Sequence, residues 1–192
     1  NANGTSSKTT TITVTEKSSS SGGSSGGSSH KSGGSSSGGS GGGGGSPEPA
    51  KNVEVKEISQ TFVTNGKPVK FDFSKNATCV MYVSFDAKKT AGKITTIAEQ
   101  LKGKSTLVSE LGSGEVHKYF NLWVGNGDFA TSKNIENPVV CFKVEKSWLQ
   151  DKKIDQNSIT LNRYSDKKWL QLPVKLLNED TKYLYFTAET PG

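Results

Sequence analysis

The stretch that decides the fold is VHKYFNLWV, residues 116–124, because it carries large apolar side chains on both faces of an extended chain. One face of this stretch holds Val116, Phe120, Leu122 and Val124, and the other holds His117, Tyr119, Asn121 and Trp123. A strand that is apolar on both sides is typical of the middle of a sheet. The stretch therefore predicts a central β-strand, with both faces covered.

Period-two alternation of apolar and polar residues continues through the rest of residues 50–192 and predicts strands. Turn residues such as Asn65-Gly66 separate the alternating segments. About eight strands in one domain favour an Ig-like β-sandwich. Besides residues 116–124, the predicted strands are 53–63, 69–73, 79–85, 139–145, 158–164, 169–176 and 182–189.

Two segments depart from this alternation. In GKITTIAEQLKG the apolar residues recur at helical spacing, which predicts one short amphipathic helix on the sheet that ends before Gly103; they are Ile94, Ile97, Ala98 and Leu101. Residues 145–149 predict a second helical turn, with Ser147 as its N-cap and Trp148 anchored in the core.

Residues 18–49 form a Ser/Gly/Pro-rich tract that contains His30 and Lys31 and has no apolar side chain able to offset the entropy of ordering. The composition predicts a disordered, flexible linker with a root-mean-square span of roughly 30 Å and a full reach of about 100 Å. The irregular spacing favours a natural spacer, of a kind that often carries O-linked sugar in secreted proteins, and an engineered linker is the alternative.

Residues 1–17 contain an Asn-Gly turn followed by alternating Thr, Ile, Thr and Val, which is half of a hairpin. A lone strand is not stable. We therefore treat it as an orphan strand, whose partners lie upstream in a longer parent chain, in this domain or in a neighbouring copy. The absence of an initial Met agrees with a piece of something longer.

Charge and hydropathy argue against several classes of partner. The formal net charge is +6, but it comes from dispersed lysines, and Arg163 is the sole arginine. Nucleic-acid sites favour arginine and clustered basic patches, so we predict no nucleic-acid partner. No apolar run approaches the ~18 residues of a membrane span.

The residues that could carry chemistry are few. Cys79 and Cys141 are either buried free thiols or, in a secreted chain, a disulfide worth roughly 4 kcal/mol. No His and Cys set with zinc-ligand spacing accompanies them. His117 has no Ser or Cys placed as its nucleophile, and Asn126 and Asp128 lack the acidic cluster of a Ca²⁺ site. We predict no catalytic residue, no cofactor and no metal.

Two kinds of surface site are predicted instead. Asn76 and Asn3 begin N-glycosylation sequons at exposed turns. Tyr119 and Trp123 share a strand face that a sugar-binding module would use, although packing of a strand that is apolar on both sides is the favoured explanation. Gly125 to Ala130 match a GxGxxA pattern, but no helix follows it, so a hairpin turn is the better interpretation.

Two stretches resemble known families. NANGTSSKTTTITV, residues 1–14, resembles the last hairpin of a PKD domain. GKPVKFDF, GEVHKYFNLWVGNGDFA, FKVEKSW, ITLNRYSDKKWLQL and the terminal TPG, in that order within residues 50–192, resemble the PGF-pre-PGF domain of archaeal surface proteins.

The second resemblance implies an exported protein, trimmed by a sortase and lipid-anchored among S-layer subunits. The family has no active site to carry over, and the two cysteines lie outside its pattern. Its sorting tail is missing after Thr190-Pro191-Gly192, so an anchor is implied for the parent only.

We therefore expect a non-catalytic structural module of a cell-surface glycoprotein, whose partners are other copies or S-layer subunits. Residues 1–17 would insert as a donor strand into a neighbour. The alternative is an adhesin-type module that binds a glycan or a protein through Tyr119 and Trp123.

Overall fold

A computed structural model describes residues 46–111, 114–125, 129–165 and 167–191, together with the backbone of residues 10–15. These residues form two sheets and one α-helix, α1 (Lys146–Lys152). Short 3-10 turns lie at Ala50–Asn52 and Gln156–Ser158. The strands are β1 (Thr10–Thr15), β2 (Val53–Val63), β3 (Pro68–Asp72), β4 (Val80–Ala87), β5 (Gly92–Leu101), β6 (Glu115–Val124), β7 (Ile135–Glu145), β8 (Ile159–Ser165), β9 (Lys168–Leu172), β10 (Lys175–Glu179) and β11 (Tyr183–Glu189).

The two sheets make a β-sandwich, which confirms the predicted fold class. One is a six-stranded sheet with the order β2-β5-β6-β1-β8-β9, and the other is a five-stranded sheet with the order β10-β11-β7-β4-β3. Every strand pair is antiparallel except the two pairs made by β1. As predicted, β6 lies inside its sheet rather than at an edge.

The hydrophobic core fills the space between the sheets because alternate residues of both sheets point inward. Phe142 and Phe186 belong to β7 and β11, and their rings stack with centroids 5.8 Å apart. The largest apolar side chains that are fully buried are Phe71, Phe73, Phe120, Phe142, Leu161 and Leu184.

The predicted helix over residues 94–101 is wrong, because this segment is β5. It pairs along its length with β2 and, from Thr96 onward, with β6. Its β-branched residues favour an extended chain, and two neighbouring strands supply hydrogen bonds that a helix on the surface would forgo. The helical spacing arose because apolar residues occupy both faces: Ala98 belongs to the core cluster, whereas Leu101 is buried outside it.

The second predicted helical turn is present and longer than expected, as α1. Ser147 is not its N-cap: Glu145 occupies that position and makes no side-chain cap hydrogen bond, while Ser147 is exposed. The helix ends at Lys153, which adopts the left-handed conformation with φ 53°. Leu149 is the buried residue of α1, and Trp148 packs against the edge of the core.

The N-terminal strand has its partners in this domain, which was one of the three alternatives open from the sequence. β1 lies between β6 and β8 and is parallel to both. It is in register with β8 at all six positions, from Thr10 opposite Ile159 to Thr15 opposite Tyr164. A strand joined to its domain only through residues 16–45 thus completes the middle of a sheet.

Replacing Phe142 by Ala should lower the free energy of unfolding by about 3–5 kcal/mol, because it removes a fully buried ring and leaves a cavity. Phe62→Ala is the matched control, since that ring is 74% exposed and its loss should change stability by no more than about 0.5 kcal/mol. Urea unfolding followed by tryptophan fluorescence measures both. Equal losses of stability in the two variants would mean that Phe142 does not lie in the interior of the sandwich.

Candidate functional site

The candidate site is the strand slot, which we define as the space between β6 and β8 that β1 occupies. β1 pairs with both neighbours at once: Thr13 is opposite Tyr119 on one side and opposite Asn162 on the other. Without a strand here, the six-stranded sheet would divide into β2-β5-β6 and β8-β9. The unpaired edges of β6 and β8 would then be open to another strand.

The inner wall of the strand slot belongs to the hydrophobic core. Ile159 and Leu161 of β8 are 2% and 0% exposed, and Phe120 of β6 is 0% exposed. Further along β8, Arg163 is 3% exposed and donates to the carbonyl oxygen of Pro191. Arg163 also lines an apolar pocket with Leu122, Val124 and Pro191. The sequence analysis used Arg163 only as a lone charge and missed this inward position.

The outer wall of the strand slot is polar and still shielded from solvent. Asn121 and Asn162 are 0% and 6% exposed. The side-chain amide of Asn162 donates to the hydroxyl oxygen of Thr160 over 3.4 Å, and the amide of Asn121 donates to Glu48 over 3.3 Å. The two walls therefore differ in chemistry, apolar inside and rich in amides and hydroxyls outside.

Residues 46–52, which we call the strap, cover this outer face beside the strand slot. Glu48 is buried and accepts hydrogen bonds from the side chains of Asn52, Ser105 and Asn121 and from the backbone N–H of Thr106. Burial opposes its ionisation, but these hydrogen bonds together hold the pKa of Glu48 below its usual value. The folded part thus includes residues that the sequence analysis assigned to the linker.

The predicted ligand face lies partly under the strap. The indole N–H of Trp123 donates to Glu99 over 2.9 Å, and the hydroxyl of Ser46 donates to the same carboxylate oxygen over 2.7 Å. Glu99 is 1% exposed. Tyr119 and Trp123 are both half-buried. The buried carboxylates of Glu48 and Glu99 were missed from the sequence, because exposed glutamates show the same alternation.

A β-bulge turns His117 into the sandwich and away from Tyr119 and Trp123. Thr11 is opposite Val116 and Ile12 is opposite Lys118, so no residue of β1 is paired with His117. The Nε2 atom of His117 contacts the carboxylate of Glu145, and its ring meets Trp148 edge-on with centroids 4.9 Å apart. Its Nδ1 atom is buried without a hydrogen-bond partner among the described residues.

The predicted disulfide is not formed. Cys79 and Cys141 are both free and buried. Cys79 points into the core, whereas Cys141 lies on the opposite face of the sheet, because its neighbours Val140 and Phe142 are the core residues of β7. Burial raises the pKa of Cys79 to about 12 and that of Cys141 to about 11. Both thiols are therefore protonated and unreactive at neutral pH.

The glycosylation sequon at Asn76 lies at an exposed turn, as expected. Asn76 adopts a left-handed conformation with φ 54°, which suits Asn in a tight turn. The backbone N–H groups of Lys75 and Ala77 donate to the buried carboxylate of Glu57, which holds the turn against β2. Thr78 of the sequon is 2% exposed and bonds to the backbone of Val80.

Several predicted features lie outside the described residues. These are Asn3, the body of the Ser/Gly tract, and Asn126 and Asp128, which follow β6 in the sequence. Within the described ranges, no group of three His, Cys, Asp or Glu residues could hold a metal ion. The same ranges contain no helix long and apolar enough to cross a membrane.

Comparison with known proteins adds no relative. No family model, no curated protein and no solved structure matches the chain. The resemblances to the PGF-pre-PGF and PKD domains therefore stay predictions from the sequence. The class that the fold defines is a β-sandwich whose central strand comes from the far end of a Ser/Gly tract.

The contact between His117 and Glu145 should make stability depend on acid pH. The hydrogen bond from His117 lowers the pKa of Glu145 to about 2, from an ordinary value of 4.5. A lowered pKa in the folded state stabilises the fold above pH 4.5, and that contribution is lost as the pH falls towards 2. Glu145→Gln should therefore lower the stability of the protein near neutral pH. In acid, the difference in stability between this variant and the wild type should become smaller.

The measurement is the urea midpoint of both proteins over this pH range, with Glu179→Gln as a control. Glu179 is exposed and pairs with Lys146 at the surface, where such pairs contribute little. A difference in urea midpoint between the wild type and Glu145→Gln that stays constant with pH would contradict the contact between His117 and Glu145.

Proposed function

We propose that the chain is a non-catalytic structural module of an archaeal cell-surface or S-layer-associated glycoprotein, and that copies assemble by exchanging β1. In one copy β1 fills its own strand slot, and in an assembly it fills the slot of a neighbour. The observation that carries the proposal is the position of β1. It pairs on both sides in the middle of a sheet, yet only residues 16–45 connect it to the domain.

The length of the connection supports donation to a neighbour. Thr15 is the last residue of β1, which lies next to β6, and the strap begins at Ser46, which contacts β5 on the other side of β6. β1 and β5 are two strand spacings of about 4.8 Å apart, so the gap to be closed within one chain is on the order of 10 Å. Five or six residues would close it, and the chain provides the 30 residues 16–45.

The energetics of the open slot also favour exchange. Loss of β1 would uncover core side chains along β6 and β8, among them Phe120 and Leu161, and would leave both strand edges without hydrogen-bond partners. Binding of an equivalent strand would therefore strongly stabilise a chain that lacks β1. Strand addition of this type supplies affinity through main-chain hydrogen bonds.

Surface features agree with a structural role outside the cell. Asn76 is exposed at a turn and available to carry a glycan. Three side chains that often act as nucleophiles or bases are buried: both thiols have raised pKa values, and His117 is held by Glu145 and Trp148. These arrangements favour a scaffold over an enzyme.

The alternative function is an adhesin-type binding module, and one observation favours it. Ile58, Ile97 and Trp123 lie opposite one another across three strands on the outer face, and Ile58 is 54% exposed. Such a row could bind a glycan or an apolar partner. A glycan array, followed by titration of tryptophan fluorescence with any sugar that binds, tests this function.

Assembly by exchange predicts two populations that depend on concentration. A Gly/Ser tether of this length gives a millimolar effective concentration for closure within one chain. We expect the dilute protein to be monomeric, and linked dimers and longer chains to form at millimolar concentration, measured by light scattering after gel filtration. A chain lacking residues 1–17 should form one-to-one complexes with the full chain after partial unfolding and refolding.

The control is a variant with the tract cut to about ten residues, which still spans the gap but raises the effective concentration for closure within one chain. It should assemble less than the full chain. If the chain without residues 1–17 assembles as the full chain does, exchange of β1 is not the mechanism.

The surface assignment predicts covalent sugar on native protein. Mass spectrometry of peptides from native material should find a glycan on Asn76, and Asn76→Gln should remove that mass. Alkylation in denaturant without reduction should label both Cys79 and Cys141, because they are free. An unmodified Asn76 would remove the main support for the surface location.

A further inference from the structure

We propose that the strand slot selects its donor by a two-sided pattern: a β-branched apolar residue opposite Leu161 and a small hydroxyl residue opposite Asn162. This inference rests on the proposed exchange of β1 and names the partner more closely. The donor is the TTITVT segment of a second copy, residues 10–15, in the register that β1 has here.

The position opposite Leu161 faces the core, because residues directly opposite in paired strands share a face of the sheet. Leu161 is 0% exposed, and Ile159, two residues earlier on the same face, is 2% exposed. A polar residue placed there would lose much of its hydration, and the apolar side chains of Ile159 and Leu161 offer it no hydrogen bond. The chain places Ile12 opposite Leu161.

The position opposite Asn162 faces the outer wall. Asn162 and Asn121 are buried amides, and Thr160 contributes a hydroxyl to the same face. A small hydroxyl side chain can donate and accept hydrogen bonds in such surroundings, whereas a large apolar one would bring no hydrogen-bonding group to a face lined by buried amides. The chain places Thr11, Thr13 and Thr15 opposite Thr160, Asn162 and Tyr164.

The strand slot therefore distinguishes donors by which positions are apolar and which are polar, as well as by their composition. The pairing with β8 is regular over all six residues, and the bulge lies on the β6 side, at His117. A slip of one residue would place Thr opposite Leu161 and Ile opposite a polar residue, which exchanges the two faces. A donor that alternates in the opposite phase is rejected for this reason.

The test compares the same substitution on the two faces, Ile12→Asn and Thr13→Asn. Asn is chosen over Asp because Lys118 of β6 is opposite Ile12, and a carboxylate there could form a new ion pair. Fluorescent peptides covering residues 6–17, in wild-type and both variant forms, are titrated into the chain that lacks residues 1–17. We expect Ile12→Asn to weaken binding on the order of 100-fold, and Thr13→Asn by no more than about fivefold.

A second measurement tests the same two-sided pattern without any exchange of strands between chains. Both substitutions are made in the full chain, and the urea midpoint is measured in dilute, monomeric solution, where β1 pairs within its own chain. Ile12→Asn should lower the midpoint clearly, and Thr13→Asn should lower it much less. This measurement also stands if the chain without residues 1–17 does not fold.

The outcomes separate this inference from the proposed function. Equal effects of the two substitutions on stability, or a larger effect of Thr13→Asn, would overturn the two-sided pattern even if copies exchange strands. An unequal effect on stability in a protein that stays monomeric at millimolar concentration would uphold the pattern and overturn the proposed assembly.

Discussion

The fold depends on the pairing of β1 with β6 and β8. A strand in the middle of a sheet must satisfy main-chain hydrogen bonds on both edges, and here one short strand does so for two neighbours that do not touch each other in the sheet. The strand lies between buried core residues of β6 and β8 on one face of the sheet and the amides Asn121 and Asn162 on the other. The integrity of the six-stranded sheet therefore rests on a segment at the far end of the tract.

This arrangement connects the fold to the proposed function. In an ordinary sandwich the central strands come from adjacent parts of the chain, so none can leave without unfolding the domain. β1 is joined to its domain by the 30 residues 16–45, and the proposed exchange depends on the length of this connection. The strap fixes where the tract enters the domain, because Glu48 and Glu99 hold it to the outer face by buried hydrogen bonds.

The sequence predicted more of the fold than of the site. Alternation identified most of the strands and the central place of β6, since burial on both faces leaves a pattern in the residues themselves. It failed at residues 94–101, where apolar residues on both faces of β5 imitated a helix. It also left a disulfide between Cys79 and Cys141 open beside free thiols, although alternation places the two cysteines on opposite faces of the same sheet. The role of the strap was missed because Glu48 follows a Ser/Gly tract and resembles any solvated acid.

The sequence by itself determined the β class and the alternating character of the N-terminal strand, because these are properties of local composition and period. Tertiary structure alone decided which gap that strand fills, which face His117 points to and which carboxylates are buried. Those outcomes depend on pairing between segments far apart in the chain, and a local pattern is equally compatible with several partners. A bulge of one residue at His117 is enough to move a side chain from one face to the other.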